Sequence, residues 1–224
     1  MVARQSLNVD YDISLFHRIK SKYRRMRIKG LLKWCGSMLL FCVVTVTTQA
    51  QSGVQRLDER ILEDLAAGRT DGQTKLWRFV SNANNYVNAG VPLVVLADGL
   101  IRNDDKTKRD ALYMVTSTAT TYLLNLAIKK LVRRPRPFLT DPNLVPVYRP
   151  GEWSFPSGHT SSVFSAMTTL ARVYPKWYVI APAYLWAGGV GYSRMYLGVH
   201  YPTDVTAGAV LGTGMAFTFG FLKP

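Results

Sequence analysis

The sequence predicts an all-α domain, a bundle of five to six core helices. Apolar residues fall in stretches of helical length, divided by Gly, Pro and charged clusters. None of these stretches shows the alternation of period two that marks a half-buried strand. No internal repeat or low-complexity segment appears, and 224 residues suffice for one such domain plus a leader.

The leader occupies residues 1–50. Lys20 to Lys29 is a basic flank, Leu31 to Val46 is apolar apart from Lys33 and a few small residues, and small residues near Ala50 suit cleavage. That layout fits a secretory signal, with Met26 as a possible alternative start. An uncleaved first transmembrane helix is the other reading, although an apolar run of about 13–16 residues is short of the roughly 20 a bilayer needs. In both cases the basic flank stays inside and residue 51 emerges outside the cytoplasm.

The domain then runs from 51 to 224. Leu57 to Ala67 carries apolar residues at 57, 61, 62, 65 and 66, the pattern of an amphipathic helix, and Gly68 ends it. Thr74 to Ser81, with Leu76, Trp77, Phe79 and Val80, predicts an interfacial helix, followed by polar punctuation at Asn82–Asn85. Val87 to Ile101 is apolar despite Pro92 and Asp98, Arg102 to Asp110 is a charged turn, and Ala111 to Ile128 is a long helix rich in Thr and Leu. Lys129 to Pro137 is basic and proline-rich and is expected to be extended. A loop from Thr140 to Ser157 precedes three further helices, 158–173, 177–192 and 205–222.

These helices approach spanning length, yet contain many Ser, Thr, Gly and Asn, and the mean hydropathy is only +0.02. The expectation is a membrane-embedded or tightly membrane-associated bundle, with a soluble bundle as the alternative. If 87–101, 111–128, 158–173, 177–192 and 205–222 all cross, segments 129–157 and 193–204 share the outer face. Lys129, Lys130, Arg133, Arg134 and Arg136 then stand outside, against the usual bias for basic residues inside, which points to an anionic ligand.

Charge agrees. Of the net +14, residues 1–34 hold +7 and residues 35–224 another +7. Such an excess suits phosphate, lipid headgroups or nucleic acid. Nucleic acid is disfavoured because no aromatic residues interleave the basic run for stacking. Both cysteines, Cys35 and Cys42, lie in the leader, so the domain has no disulfide framework and no Cys-based metal site. No His-Glu-x-x-His pattern occurs, and no metal or other cofactor is expected.

Three segments carry chemistry. The basic run is, alone, an ordinary solvated turn or a lipid-binding patch. Pro156-Ser157-Gly158-His159 opens an apolar helix, where free backbone N–H groups and a glycine admit a phosphate oxygen, and His159 is placed to give or take a proton. The same residues are also common helix-start chemistry. In Ser193-Arg194-x5-His200-x3-Asp204, residues 200 and 204 are four apart and expected to meet on one helix face, where Asp204 can accept a hydrogen bond from one imidazole nitrogen and leave the other as a lone-pair nucleophile. An acidic residue near a helix N-terminus is equally an ordinary dipole partner.

Together, Lys129-x6-Arg136-Pro137, Pro156-Ser157-Gly158-His159 and Ser193-Arg194-x5-His200-x3-Asp204 resemble the three-part signature of the type 2 phosphatidic acid phosphatase (PAP2) superfamily. That superfamily includes bacterial acid phosphatases, lipid phosphatases and vanadium haloperoxidases. The motifs match at every defining position over about 75 residues. The resemblance implies a PAP2/haloperoxidase-like helical bundle. It also implies that His200 is the nucleophile and forms a phosphohistidine, Asp204 orients it, and His159 is general acid and then base. Lys129, Arg136, Arg194, Ser157 and Gly158 would hold the phosphate, with no metal. Lys130, Arg133, Arg134 and Arg149 fall outside the matched positions and are left to support or lipid contact.

The implied function is metal-independent hydrolysis of phosphate esters at the bacterial cell envelope. The substrate would be a phosphorylated lipid, such as a lipid phosphate or polyprenyl pyrophosphate, or a small phosphoester. The site would face the periplasm from the inner membrane, or the protein would be periplasmic after signal cleavage. A soluble periplasmic acid phosphatase is the alternative. A vanadium haloperoxidase, for which about 174 residues after the leader are few, and a non-catalytic protein that binds anionic lipid stand behind it. Specificity lies between the motifs, with Trp153 and Phe155 near the expected substrate entrance.

Overall fold

The computed structural model describes residues 51–151 and 153–223. The basic tail, the signal peptide or first transmembrane helix and the alternative start at Met26 lie outside the described residues. Seven helices follow: α1 (Gln51–Ala67), α2 (Asp71–Ile101), α3 (Asp105–Val132), α4 (Pro137–Thr140), α5 (Gly158–Val173), α6 (Trp177–Tyr196) and α7 (Pro202–Thr218), the last running into a 3₁₀ turn, Phe219–Leu222. Among the described residues there is no strand, only an isolated bridge between Pro135 and Trp153. The all-α bundle is as the sequence predicts, with α2, α3, α5, α6 and α7 as its principal helices.

Helix α5 is the central element and packs against α2, α3, α6 and α7. It is buried on several faces, which its small residues permit: Thr160, Ser161, Ser165, Ala166, Thr168, Thr169 and Ala171 are all covered. Its apolar side, Val163, Ala166 and Met167, meets Ala183, Ala187 and Val190 of α6. Against α7 the approach is close enough to require glycine. A Cβ at Gly212 would lie 2.1 Å from the Ser161 carbonyl oxygen, and one at Gly208 2.7 Å from that of Ser157.

Much of the interior is polar and hydrogen-bonded between helices. Ser117 of α3 meets Ser165 of α5 at 3.0 Å, and Asn88 of α2 donates to Ser162 Oγ of α5 at 3.0 Å. Asn125 of α3 donates to Ser161 Oγ at 3.0 Å and to the Pro156 carbonyl at 3.3 Å. Large apolar side chains point outward instead: Leu93, Val94 and Ile101 on α2, Leu112 and Leu123 on α3, Leu185 on α6 and Phe217 on α7. This arrangement of polar inside and apolar outside accounts for the low mean hydropathy. Among the described residues, the stretch Pro202–Leu222 is long and apolar enough to cross a bilayer, with mean hydropathy 1.6.

Several element bounds differ from expectation. The interfacial helix, the Asn-rich punctuation and the next apolar helix are one continuous helix, α2. Ser81 and Asn84 are buried on its inner face, so these polar residues face inward and do not break the chain. Pro92 lies inside α2 and removes only its own N–H from the ladder. Helix α3 begins earlier because Asp104 caps it, accepting from Lys106 N at 3.0 Å. It runs on to Val132, where Arg133 turns left-handed at φ 52°. Lys129 therefore belongs to the last helical turn, not to an extended segment. Helix α6 continues to Tyr196, which makes Ser193 and Arg194 helical. Helix α7 starts at Pro202, the proline pre-set for a first turn.

Candidate active site

Backbone hydrogen bonds stitch the three motif segments together at one end of the bundle. Ser154 N donates to the Arg134 carbonyl at 2.7 Å, joining the basic run to the loop before α5. Ser157 N donates to the Asp204 carbonyl at 3.0 Å, joining that loop to α7. The turn after α6 passes through Gly198 at φ +72°, where a side chain would be strained and would meet Arg69. That turn delivers His200 beneath the other two segments.

His200 is 2% exposed and lies in the turn before α7, so it does not share a helix face with Asp204, contrary to expectation. The two nonetheless meet, Nδ1 standing 3.5 Å from Asp204 Oδ2. Ser154 Oγ is 3.4 Å from the same nitrogen and donates a short hydrogen bond to Asp204 Oδ2. On the far side of the ring, Nε2 faces Arg136 Nη1 at 3.3 Å. A guanidinium has no lone pair to offer, so Nε2 is the acceptor and Nδ1 carries the proton toward Asp204. This is the tautomer a nucleophilic Nε2 requires. Burial pushes the imidazole down to about 3, with Asp204 opposing and Arg194 and Arg136 adding to the shift, so His200 is neutral and its Nε2 lone pair carries no proton, only the Arg136 contact.

Asp204 is fully buried at the third position of α7. It accepts from Tyr201 N at 2.9 Å, closing the helix cap, and from Arg134 Nη1 at 2.8 Å.

Three cations converge on the same space. Lys129 Nζ donates to the Trp153 and Ser154 carbonyls at 2.9 and 3.2 Å. Arg136 donates through Nε to the Gly151 carbonyl and through Nη1 to the Val199 carbonyl at 2.7 Å. Arg194 is 2% exposed, donates to Ser81 Oγ, and stands over the Tyr148 ring at 5.6 Å. Its buried Nε has no partner among the described residues. Burial, then the Arg136 charge, lowers Lys129 to about 8. Burial, then the Arg194 charge, lowers Arg136 to about 10. Cations held this close without matching carboxylates are short of negative charge, and a phosphate would supply it.

His159 is the second residue of α5, and the charges of Arg194, Arg136 and Lys129 all bear on its ring. Ser157 and Gly158 lie where the sequence places them, at the helix start. The Ser157 N–H is engaged by Asp204, and its Oγ accepts from Thr160 at 2.8 Å. Gly158 approaches the Asn125 amide, from which a Cβ would lie 3.4 Å.

Three participants were not assigned from sequence. Ser154 lies three residues before Ser157, and that proximity was its only signal. Arg134 sat in the basic run with nothing to separate it from its neighbours. Asp58 of α1, 2% exposed, accepts from Arg134 Nη2 at 2.9 Å and from Thr203 N at 3.0 Å. No local pattern in α1 announces those contacts.

Comparison with known proteins follows the same lines. The family model for the PAP2 superfamily matches residues 110–221, half of the chain. An undecaprenyl-diphosphatase of Sulfolobus acidocaldarius is 34% identical over 113 residues, 50% of this chain and 54% of its own length. Phosphatidylglycerophosphatase B of Bacillus subtilis is 28% identical over 194 residues, 81% of this chain and 90% of its own. The chain thus spans about half the length of the first relative and nine tenths of the second. Among solved structures, a transmembrane PAP2-type phosphatidylglycerolphosphate phosphatase from Bacillus subtilis superposes with a TM-score of 0.68 at 28% identity, covering 83% of this chain and 94% of that one. Aquifex aeolicus LpxE has the same fold, with a TM-score of 0.61 at 24% identity over 71% of this chain and 92% of its own.

Proposed function

Because the chain belongs to the PAP2 superfamily, whose matched relatives are named as phosphatases of lipid and polyprenyl phosphates, we propose that it hydrolyses such phosphate esters through a phosphohistidine at His200. The observation that carries this reading is the state of His200: neutral, Nδ1 toward Asp204, Nε2 toward the three-cation space.

Substrate phosphate enters between Lys129, Arg136 and Arg194 and takes over the Arg136 contact to Nε2. The Nε2 lone pair attacks phosphorus, and the bond from phosphorus to the ester oxygen breaks. The charge of the bound phosphate offsets the three cations around His159, which in the complex carries a proton and gives it to the departing oxygen. His159, now neutral, takes a proton from water, the resulting hydroxide attacks phosphorus, the phosphorus–nitrogen bond breaks, and its electron pair returns to Nε2. Inorganic phosphate leaves with the three cations balancing its equatorial oxygens throughout. Asp204 stabilises the positive charge that builds on the imidazole.

Outward apolar side chains on α2, α3, α6 and α7 favour a lipid substrate reached at a membrane surface, and the basic run beside the site, set against the bias that keeps such residues inside, favours the outer face. The test is phosphate release by purified protein from a panel that includes a phosphatidylglycerol phosphate, a polyprenyl diphosphate and a soluble phosphomonoester, with chelator present. Lipid phosphates are expected to turn over faster than the soluble ester, and vanadate to inhibit as a mimic of five-coordinate phosphorus. Preference for the soluble ester would overturn the lipid assignment, and a strict need for added metal would overturn the mechanism.

A further inference from the structure

Arg134 lies outside the matched motif positions, yet it is the most heavily engaged cation of the basic run. Its Nη1 donates to Asp204 Oδ1 at 2.8 Å and to Thr203 Oγ1 at 2.7 Å. Its Nη2 donates to Asp58 Oδ2 at 2.9 Å and to Gln55 Oε1 at 2.8 Å. The guanidinium carbon stands 3.9 Å from the centroid of the Tyr201 ring, which blocks its retreat on that side. Asp58, held by Thr203 N and Thr203 Oγ1 as well, ties α1 to the first turn of α7. One guanidinium thus spans two buried carboxylates that come from opposite ends of the chain.

We propose that Arg134 and Asp58 form a positioning pair for the nucleophile: Asp58 of α1 fixes Arg134, Arg134 fixes Asp204, and Asp204 fixes the ring and proton of His200. This rests on the phosphohistidine reading above. Asp204 offers two oxygens. Oδ2 serves His200, Ser154 and the Tyr201 N–H, and Oδ1 is taken by Arg134. With Oδ1 held, rotation of the carboxylate about its own axis, which would take Oδ2 off the imidazole, costs a charged hydrogen bond. The role is also electrostatic. His200 feels Asp204 from α7, Arg136 from the basic run and Arg194 from α6, while Lys129 of α3 acts on Asp204. Arg134 adds a further positive charge at the remote oxygen, and Asp58 offsets it.

A consequence is that α1, the first helix of the domain, is part of the catalytic apparatus although none of its side chains is assigned to the phosphate. Its exposed Val54 and Leu57 share the helix with the engaged Asp58. Displacing α1 removes Asp58 and Gln55 from Arg134 together.

The test uses the full chain in detergent, comparing wild type with R134Q, R134K, D58N and the double variant R134Q/D58N, on whichever phosphate ester wild type turns over fastest. R134Q is expected to lower kcat on the order of 10- to 100-fold, as partners that orient a functional histidine typically do, with KM within about threefold. Removing the positive charge from Asp204 leaves it a stronger partner for a protonated imidazole, so the acid limb of the kcat profile should move to higher pH. R134K should recover part of kcat. D58N should also lower kcat, and the double variant should be no worse than R134Q alone, the mark of residues acting in series. A wild type without phosphatase activity overturns the parent reading. An active wild type whose R134Q variant keeps kcat, or loses kcat with the acid limb unmoved, overturns the positioning role. If R134Q fails to fold, D58N decides: it should lower kcat and, by leaving the Arg134 charge without its offset beside Asp204, move the acid limb to lower pH, and a D58N variant that keeps kcat or leaves the limb unmoved overturns the positioning role.

Discussion

His200 shows how one residue acquires a chemical state from its surroundings. Its ordinary value near 6.5 would leave it partly protonated in mild acid, but burial and two arginines hold it near 3 in the folded protein. Between those values the unfolded chain binds a proton that the folded chain does not. Stability therefore rises with pH across that window and is lost as pH falls from about 6.5 toward 3. Thermal unfolding in detergent should show a larger drop in midpoint between pH about 6.5 and about 4.5 for wild type than for His200→Gln, which has no such proton to take up. Equal drops would contradict the buried neutral state. At the same scale, His200→Ala should abolish turnover, by at least about 10⁴-fold, in a variant that still unfolds cooperatively at neutral pH, with a midpoint lowered by the cavity left at this buried position. Surviving activity would move the nucleophile elsewhere.

The element that sets the geometry is the α5–α7 pair. Ser157 and His159 come from the start of α5 and Asp204 from the start of α7, so their relative placement is fixed by how closely the two helices approach. Gly208 and Gly212 set that distance, with the Ser161 carbonyl oxygen where a Cβ at 212 would be. Gly212→Ala should therefore destabilise by about 1–3 kcal/mol and lower kcat as the helices part. Gly188→Ala is the control. Its Cβ meets nothing within 4 Å, and alanine is the better helix former by about 0.5–1 kcal/mol. Denaturant or thermal unfolding of the two variants reads the difference directly, and a neutral Gly212→Ala would remove the close approach as the determinant. The loop from α4 to α5 matters for a different reason, since its carbonyls at 151, 153 and 154 hold Arg136 and Lys129 in place.

At the scale of the molecule, the site occupies one end of the bundle. A charged cluster that includes Arg102, Asp104, Asp105, Lys106 and Lys108 occupies the turn from α2 to α3. Apolar side chains line the outward faces of the helices. For a bundle crossing a membrane with its site outside, residues 149 and 105 fall on opposite sides. With Cys35 and Cys42 replaced, a cysteine at the exposed position Arg149→Cys should react with a membrane-impermeant maleimide in intact cells. One at Asp105→Cys should react only after permeabilisation. The reverse pattern would place the site in the cytoplasm.

Residues that act within a few positions of each other were legible in the sequence. Pro156 to His159 and Arg194 to Asp204 pair a helix boundary with its chemical groups, and helix α5 begins and ends where the pattern puts it, because local backbone preference and side-chain chemistry point the same way there. The Asn-rich segment of α2 resembles a turn for the opposite reason: a polar run reads as punctuation unless the packing of whole helices covers it, as it covers Asn84 and, just before the run, the Ser81 that accepts from Arg194. The basic run shows the same divide. Sequence alone determined that a cluster of cations stands beside two histidines and an aspartate. Only the tertiary structure decided which cation does what. The left-handed turn at Arg133 and the extended backbone after it send Arg134 and Arg136 to the same side and Arg133 away. Arg134 then reaches Asp204 behind the ring and Arg136 reaches Nε2 in front of it. The alternation is local, but its targets are Asp58, 76 positions before Arg134, and Asp204, 70 positions after it. Contacts that distant along the chain leave no local pattern, because they are set by how whole helices pack.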